Sequence, residues 1–176
     1  EAVYERRPGR AEGDHCTGFG PKEPVDPARG LQPCDQLWVT FTNVSGKVLD
    51  VSALYFNADF TISPVWPQAG LSNRLAPGES ARAGLQILPG STGFEELLLL
   101  AVPVGEDGAR ADLTRLAEPA MTRSFASLSG PAENWIEDWM TGGSVTRGFS
   151  TRPAAVMMLR QPVRLGAGSA LGEGQE

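Results

Sequence analysis

The chain has 176 residues, enough for one domain with a buried core that needs no staples. Hydrophobic content of 41% and charged content of 20% are ordinary for a globular protein. A net charge of −6 argues against a general nucleic-acid binder, whose phosphate contacts need a basic surface.

The 21 glycines and 14 prolines favour many turns and short strands over long helices. The longest apolar run, Leu97 to Val104, suits a buried strand and falls far short of the roughly 20 residues of a membrane-spanning helix. The chain starts at Glu1 rather than Met and shows no signal peptide. It reads as a processed product or an excised piece that a targeting signal could precede.

Residues 1–33 are rich in Arg, Gly, Pro and Asp and read as an irregular leader. Val3 and Tyr4 could add a short edge strand there, and Phe19 is the other large anchor. Cys16 and Cys34 both sit in turn-rich polar sequence, which fits one disulfide closing this loop. Such a closure is worth roughly 3 kcal/mol in the chain-entropy account. The alternative is two unpaired thiols of a cytosolic protein. A formed disulfide favours an extracytoplasmic setting.

Leu37 to Phe56 reads as two strands joined by a tight turn at Asn43–Lys47. Leu37, Val39 and Phe41 share one face, and Trp38, Thr40 and Thr42 the other. Leu49, Val51, Ala53 and Tyr55 alternate again, with Asp50 and Ser52 expected toward water. Phe60 to Ser63 is a third strand, and Pro64 and Pro67 keep it from a central ladder position. Glu79 to Leu88 alternates once more. Phe94 to Val104 is apolar enough to be a strand covered on both sides.

Asp112 can cap a short helix through Leu113, Leu116 and Ala117, stopped by Pro119. A second helix starts near Pro131 and puts Trp135, Ile136, Trp139 and Met140 on one face. Ala155 to Leu165 is a last strand, and residues 166–176 form a flexible tail. The expected fold is mainly β: an antiparallel β-sandwich, immunoglobulin-like in architecture, over residues 34–165 with one or two short helices.

Certain segments carry a resemblance. They are Cys34-Asp35-Gln36-Leu37-Trp38-Val39-Thr40-Phe41-Thr42-Asn43, Leu49 to Phe56, Ile62-Ser63-Pro64-Val65-Trp66-Pro67, Asn73-Arg74-Leu75-Ala76-Pro77-Gly78-Glu79 and Gly93 to Leu97. This succession resembles an uncharacterised bacterial β-domain found downstream of caspase-like (metacaspase or orthocaspase) peptidase modules. The resemblance runs from Pro33 to Ala117, with a fainter extension to Thr146-Arg147-Gly148. Its motifs are strands, turns and a loop, so they specify a fold better than a chemistry. It implies the non-catalytic C-terminal region of such a protein, with the peptidase module or another protein as partner.

No catalytic constellation is visible. The only histidine, His15, adjoins Cys16, and sequence neighbours point apart rather than forming a dyad. Gly166 to Ala170 fails the nucleophile-elbow pattern. One histidine and two cysteines make a zinc site improbable, and no cofactor is expected. The acidic turns at Asp50, Asn57 with Asp59, and Glu106 with Asp107 lack EF-hand spacing and read as solvated turn carboxylates rather than calcium ligands. Asn43-Val44-Ser45 matches a glycosylation sequon and also reads as a turn.

Trp66, Asn73 and Arg74 surround one loop and carry two readings. In the first they form a docking surface, with Trp66 as apolar anchor and Arg74 as polar clamp. In the second Trp66 plugs the end of the sandwich and Arg74 pairs with a nearby carboxylate. The Trp135/Trp139 face likewise reads as helix packing or a partner groove. The leading functional expectation is a non-enzymatic accessory or regulatory domain of a caspase-like peptidase. A stand-alone extracytoplasmic binding or adhesion module is the alternative. A third class, an enzyme, would need carboxylates such as Asp59 and Glu95 to converge in a cleft.

Overall fold

The computed structural model describes residues 1–106, 108–117 and 156–166. Its strands are β1 (Ala2–Arg7), β2 (Arg10–Glu12), β3 (His15–Thr17), β4 (Glu23–Pro24), β5 (Gln36–Thr42), β6 (Leu49–Phe56), β7 (Ile62–Trp66), β8 (Arg74–Leu75), β9 (Ser80–Gln86), β10 (Gly93–Pro103) and β11 (Met157–Leu165). They form a four-stranded sheet in the order β4-β1-β5-β9 and a second in the order β11-β10-β6-β7, with β8 also on β6. All strand pairings within the two sheets are antiparallel. The fold is therefore mainly β, and the two facing sheets are consistent with a sandwich. The helix expected to carry Trp135 and Trp139, the residues Thr146 to Gly148 and the tail beyond Gly166 lie outside the described residues.

Alternation places the core. Leu37, Val39 and Phe41 of β5 meet Val51, Ala53 and Tyr55 of β6 and Leu97 and Leu99 of β10 in one buried cluster. β10 is apolar on both faces, so it can occupy the middle of a sheet covered on both sides. Its other face, Leu98, Leu100 and Val102, packs with Leu54 against Leu113 and Leu116 of a 3₁₀ turn at Leu113–Ala117. Asp112 caps that turn, its carboxylate accepting from Thr114 N at 3.0 Å and Thr114 Oγ1 at 2.6 Å. β7, with its proline, is an edge strand.

Three expectations are corrected. First, β5 and β6 are not a hairpin: β5 pairs with β1 and β9, while β6 pairs with β10, β7 and β8. Two strands with one apolar face each satisfy alternation equally well side by side or face to face. β6 is buried along nearly its whole length and needs cover on both sides. The 43–48 connection therefore crosses between sheets. Asn43 braces it, donating from Nδ2 to Lys47 O at 2.8 Å and Leu75 O at 3.0 Å and accepting from Ser45 N at 3.0 Å. Asn43 is 3% exposed with its amide committed inward, so the sequon works as a turn brace.

Second, Asp50 and Ser52 do not face water; both are buried. Chain around Ala111 to Leu113 lies over them, Ala111 N donating to Asp50 Oδ2 at 2.9 Å and Leu113 N to Ser52 Oγ at 3.0 Å. Third, residues 1–33 are not an irregular leader. β1 runs alongside β5 from Ala2↔Phe41 to Arg7↔Gln36 and has β4 on its other side. Tyr4 packs against the main core. The β2–β3 hairpin is tied to the start of β5 by the Cys16–Cys34 disulfide, with Cα atoms 5.3 Å apart. Cys16 is thereby oxidised and cannot act as a thiolate nucleophile.

Candidate functional site

The residues expected to form a docking loop are drawn inward. Trp66 is 8% exposed and meets Phe41 edge-on, with ring centroids 5.7 Å apart. Its indole Nε1 is buried without a hydrogen-bond partner. Asn73 is 1% exposed, its Nδ2 donating to Ala111 O at 2.6 Å and its carbonyl accepting from Val51 N at 2.8 Å. Arg74 forks onto Asp50, from Nε to Oδ1 at 2.8 Å and from Nη2 to Oδ2 at 3.0 Å. Nη2 also donates to Gly108 O at 3.2 Å and Ala109 O at 3.0 Å. Asn73 and Arg74 thus join Asp50 in one network that fastens the 108–113 segment to β6 and β8, while Trp66 lies apart in the core. Arg74's pKa is raised chiefly by the Asp50 hydrogen bond.

Asp59 and Glu95 do not act as a pair. Asp59 spends its carboxylate on its own turn, accepting from Thr61 N at 3.0 Å and Thr61 Oγ1 at 2.6 Å. The Thr61 hydroxyl is the main cause of its lowered pKa. Among the described residues no group of three or more His, Cys, Asp or Glu gathers where it could hold a metal.

A different site emerges between the edges of β7 and β9. A cleft of about 280 Å³ opens there, with Ser63, Pro64 and Val65 on one wall and Gly84, Leu85 and Gln86 on the other. Tyr55 and Glu95 reach it from the strands behind, and Leu88 and Ser91 rim it. Glu95 stands on the core-facing parity of β10, two residues before Leu97, and is 8% exposed. One oxygen accepts from Ala58 N at 3.2 Å. The Tyr55 hydroxyl is buried beside that carboxylate without forming a hydrogen bond of normal geometry. Burial pushes its pKa well up, and the neighbouring Glu95 carboxylate pushes the same way.

The same end of the molecule carries large exposed apolar side chains. Phe60 is 95% exposed, Phe94 76% and Leu88 63%. Phe60 and Leu88 stand on turns and Phe94 is the second residue of β10; the Phe60 turn adjoins the start of β10, where a Cβ at Gly93 would lie 3.9 Å from that of Ala58 and Ala58 N donates to Glu95.

Sequence reading singled out Glu95 and missed Tyr55. A glutamate at an inward position of an otherwise apolar strand was the available signal. Nothing local marks Tyr55, whose hydroxyl gains its neighbour through the β6–β10 pairing.

Comparison with known proteins finds no matching family model, no matching curated protein and no matching solved structure.

Proposed function

We propose that this chain is a non-enzymatic protein-binding module of sandwich architecture, accessory to a caspase-like peptidase, and that it binds through the end bearing Phe60, Leu88 and Phe94. The carrying observation is the exposure of these three side chains, two on turns and Phe94 at the start of β10. Large apolar groups are costly to leave in water, and grouped ones mark interaction surfaces. Turns raised on a rigid sheet scaffold are a common place for such surfaces. The link to a caspase-like peptidase rests on the succession of segments from Pro33 to Ala117.

Two measurements test this reading. The gene upstream of the codon for Glu1 should encode a region with the histidine and cysteine of a caspase-like peptidase. Its absence defeats the accessory assignment. The purified peptidase region should then bind this chain, and Phe60→Ser with Phe94→Ser should weaken binding about tenfold or more, as expected for interface anchors, at unchanged Tm. Equal binding by the double variant removes these turns from the interface.

A second reading, a stand-alone extracytoplasmic binding or adhesion module, is favoured by the Cys16–Cys34 disulfide, a bond that persists in oxidising compartments. An upstream signal peptide with no peptidase region would select it.

A further inference from the structure

We propose that the cleft between β7 and β9 is a recognition pocket for an organic cation, a guanidinium or primary ammonium group, held by the Glu95 carboxylate and the Tyr55 hydroxyl. The inference rests on the reading of this end of the molecule as its binding end. Glu95 is 8% exposed and faces a cleft open to solvent. Among the described residues it accepts one backbone N–H, from Ala58, has the Tyr55 hydroxyl beside it, and takes part in no ion pair. A buried carboxylate with two donors still retains acceptor capacity that a cation with several N–H groups can fill. Tyr55, 4% exposed, adds a hydroxyl that lies beside this carboxylate, where its oxygen keeps capacity to accept from a bound cation. Buried carboxylates in folded proteins are rarely left with open acceptor positions, so Glu95 at this opening points to a ligand.

The cleft's size and walls narrow the class. At about 280 Å³ it is just below the roughly 300–1,000 Å³ of pockets for drug-sized molecules, so it accepts one side chain or a small amine. Val65, Leu85 and Ile87 supply apolar wall for the methylene stem of a lysine or arginine. The flanking edge strands leave backbone groups able to pair with an extended peptide. The net charge of −6 attracts cations to the chain as a whole.

The test uses calorimetric titration and amide NMR on the full chain. The probes are agmatine, a capped Thr-Val-Arg-Val-Thr peptide and the same peptide with citrulline, arginine's neutral isostere, at its centre. A cation should bind and shift the Ala58, Ser91 and Glu95 amides. The arginine peptide should bind at least tenfold tighter than the citrulline peptide if the protein supplies the cation. Agmatine binding as tightly as the arginine peptide identifies a free amine as the ligand instead. Glu95→Gln should weaken cation binding about tenfold or more, and Tyr55→Phe about threefold. Both variants keep the local shape, and Glu95→Gln keeps the acceptor for Ala58 N, so their thermal unfolding checks that they remain folded. Equal binding of arginine and citrulline peptides, unchanged cation binding by Glu95→Gln, or no shift at these amides with any probe overturns the proposal. If Phe60→Ser with Phe94→Ser abolishes peptide binding while Glu95→Gln does not, the binding end stands and the cation pocket falls.

Discussion

Removing the Arg74 side chain separates its two sequence readings, structural pair and ligand clamp. Asp50 is 2% exposed, and its carboxylate accepts from Arg74 Nε at 2.8 Å, Arg74 Nη2 at 3.0 Å and Ala111 N at 2.9 Å. Arg74→Ala deletes two of these three bonds and leaves a buried charge with one backbone donor. Breaking a buried pair by removing one partner costs about 3–5 kcal/mol. The Arg74 side chain is 27% exposed, so water can reach the vacated space. The expected loss therefore lies near the lower end, about 3 kcal/mol. For a chain of this size that lowers Tm by roughly 6–12 °C.

Asp50→Asn should cost less, about 1–3 kcal/mol, since its amide oxygen can still accept from Ala111 N. Arg74→Lys should recover little of the loss, because an ammonium cannot reproduce the two-oxygen fork. Urea unfolding followed by tryptophan fluorescence reads the effect as a lower midpoint at unchanged m. An Arg74→Ala chain within 1 kcal/mol of wild type would refute the structural assignment and return Arg74 to the surface as a ligand clamp.

Other expectations follow from single contacts. Tyr55 has a pKa raised above 10.0 by burial and then by Glu95, so the folded chain keeps a proton that the unfolded chain releases. Stability is then full below pH 10 and falls above it by about 1.4 kcal/mol per pH unit for this group, a slope that Tyr55→Phe should remove in urea titrations at pH 9 to 11. An unchanged slope would mean that the hydroxyl is not sequestered. Reduction of the disulfide, or Cys16→Ser with Cys34→Ser, should cost about 3 kcal/mol for a loop of this length, and thiol titration of the unreduced, denatured chain should find none free. A Cβ at Gly9 would stand 2.3 Å from the backbone oxygen of Cys34, whereas one at Gly84 would meet the Trp38 ring at 2.9 Å. Gly9→Ala should therefore lower Tm more than Gly84→Ala, because an indole can shift more readily than the backbone of a turn tied by the Cys16–Cys34 disulfide; the reverse order would count against this packing.

Side-chain chemistry along the chain already determined which faces are buried. Leu37, Val39 and Phe41 alternate into the core as their period requires. The unbroken apolar run of β10 demanded cover on both sides and has it. The prolines near Trp66 required an edge strand, and β7 is one. Cys16 and Cys34 lay in the right kind of sequence to pair, and they do.

Partner choice was a different matter. Alternation reports the period of a strand and is silent on its neighbour, so only the assembled sheets show β5 facing β6 rather than pairing with it, and β1 joining β5 from the supposed leader. Asp50 and Ser52 read as solvent-facing because local pattern cannot see the Ala111 to Leu113 segment that covers them with its own N–H donors. The cleft has the same origin: Tyr55 and Glu95 are far apart along the chain, and the β6–β10 pairing, with the gap left between two sheet edges, brings them to one opening. Long-range pairing, which local sequence does not encode, decides where a buried polar group meets its partner or is left waiting for one.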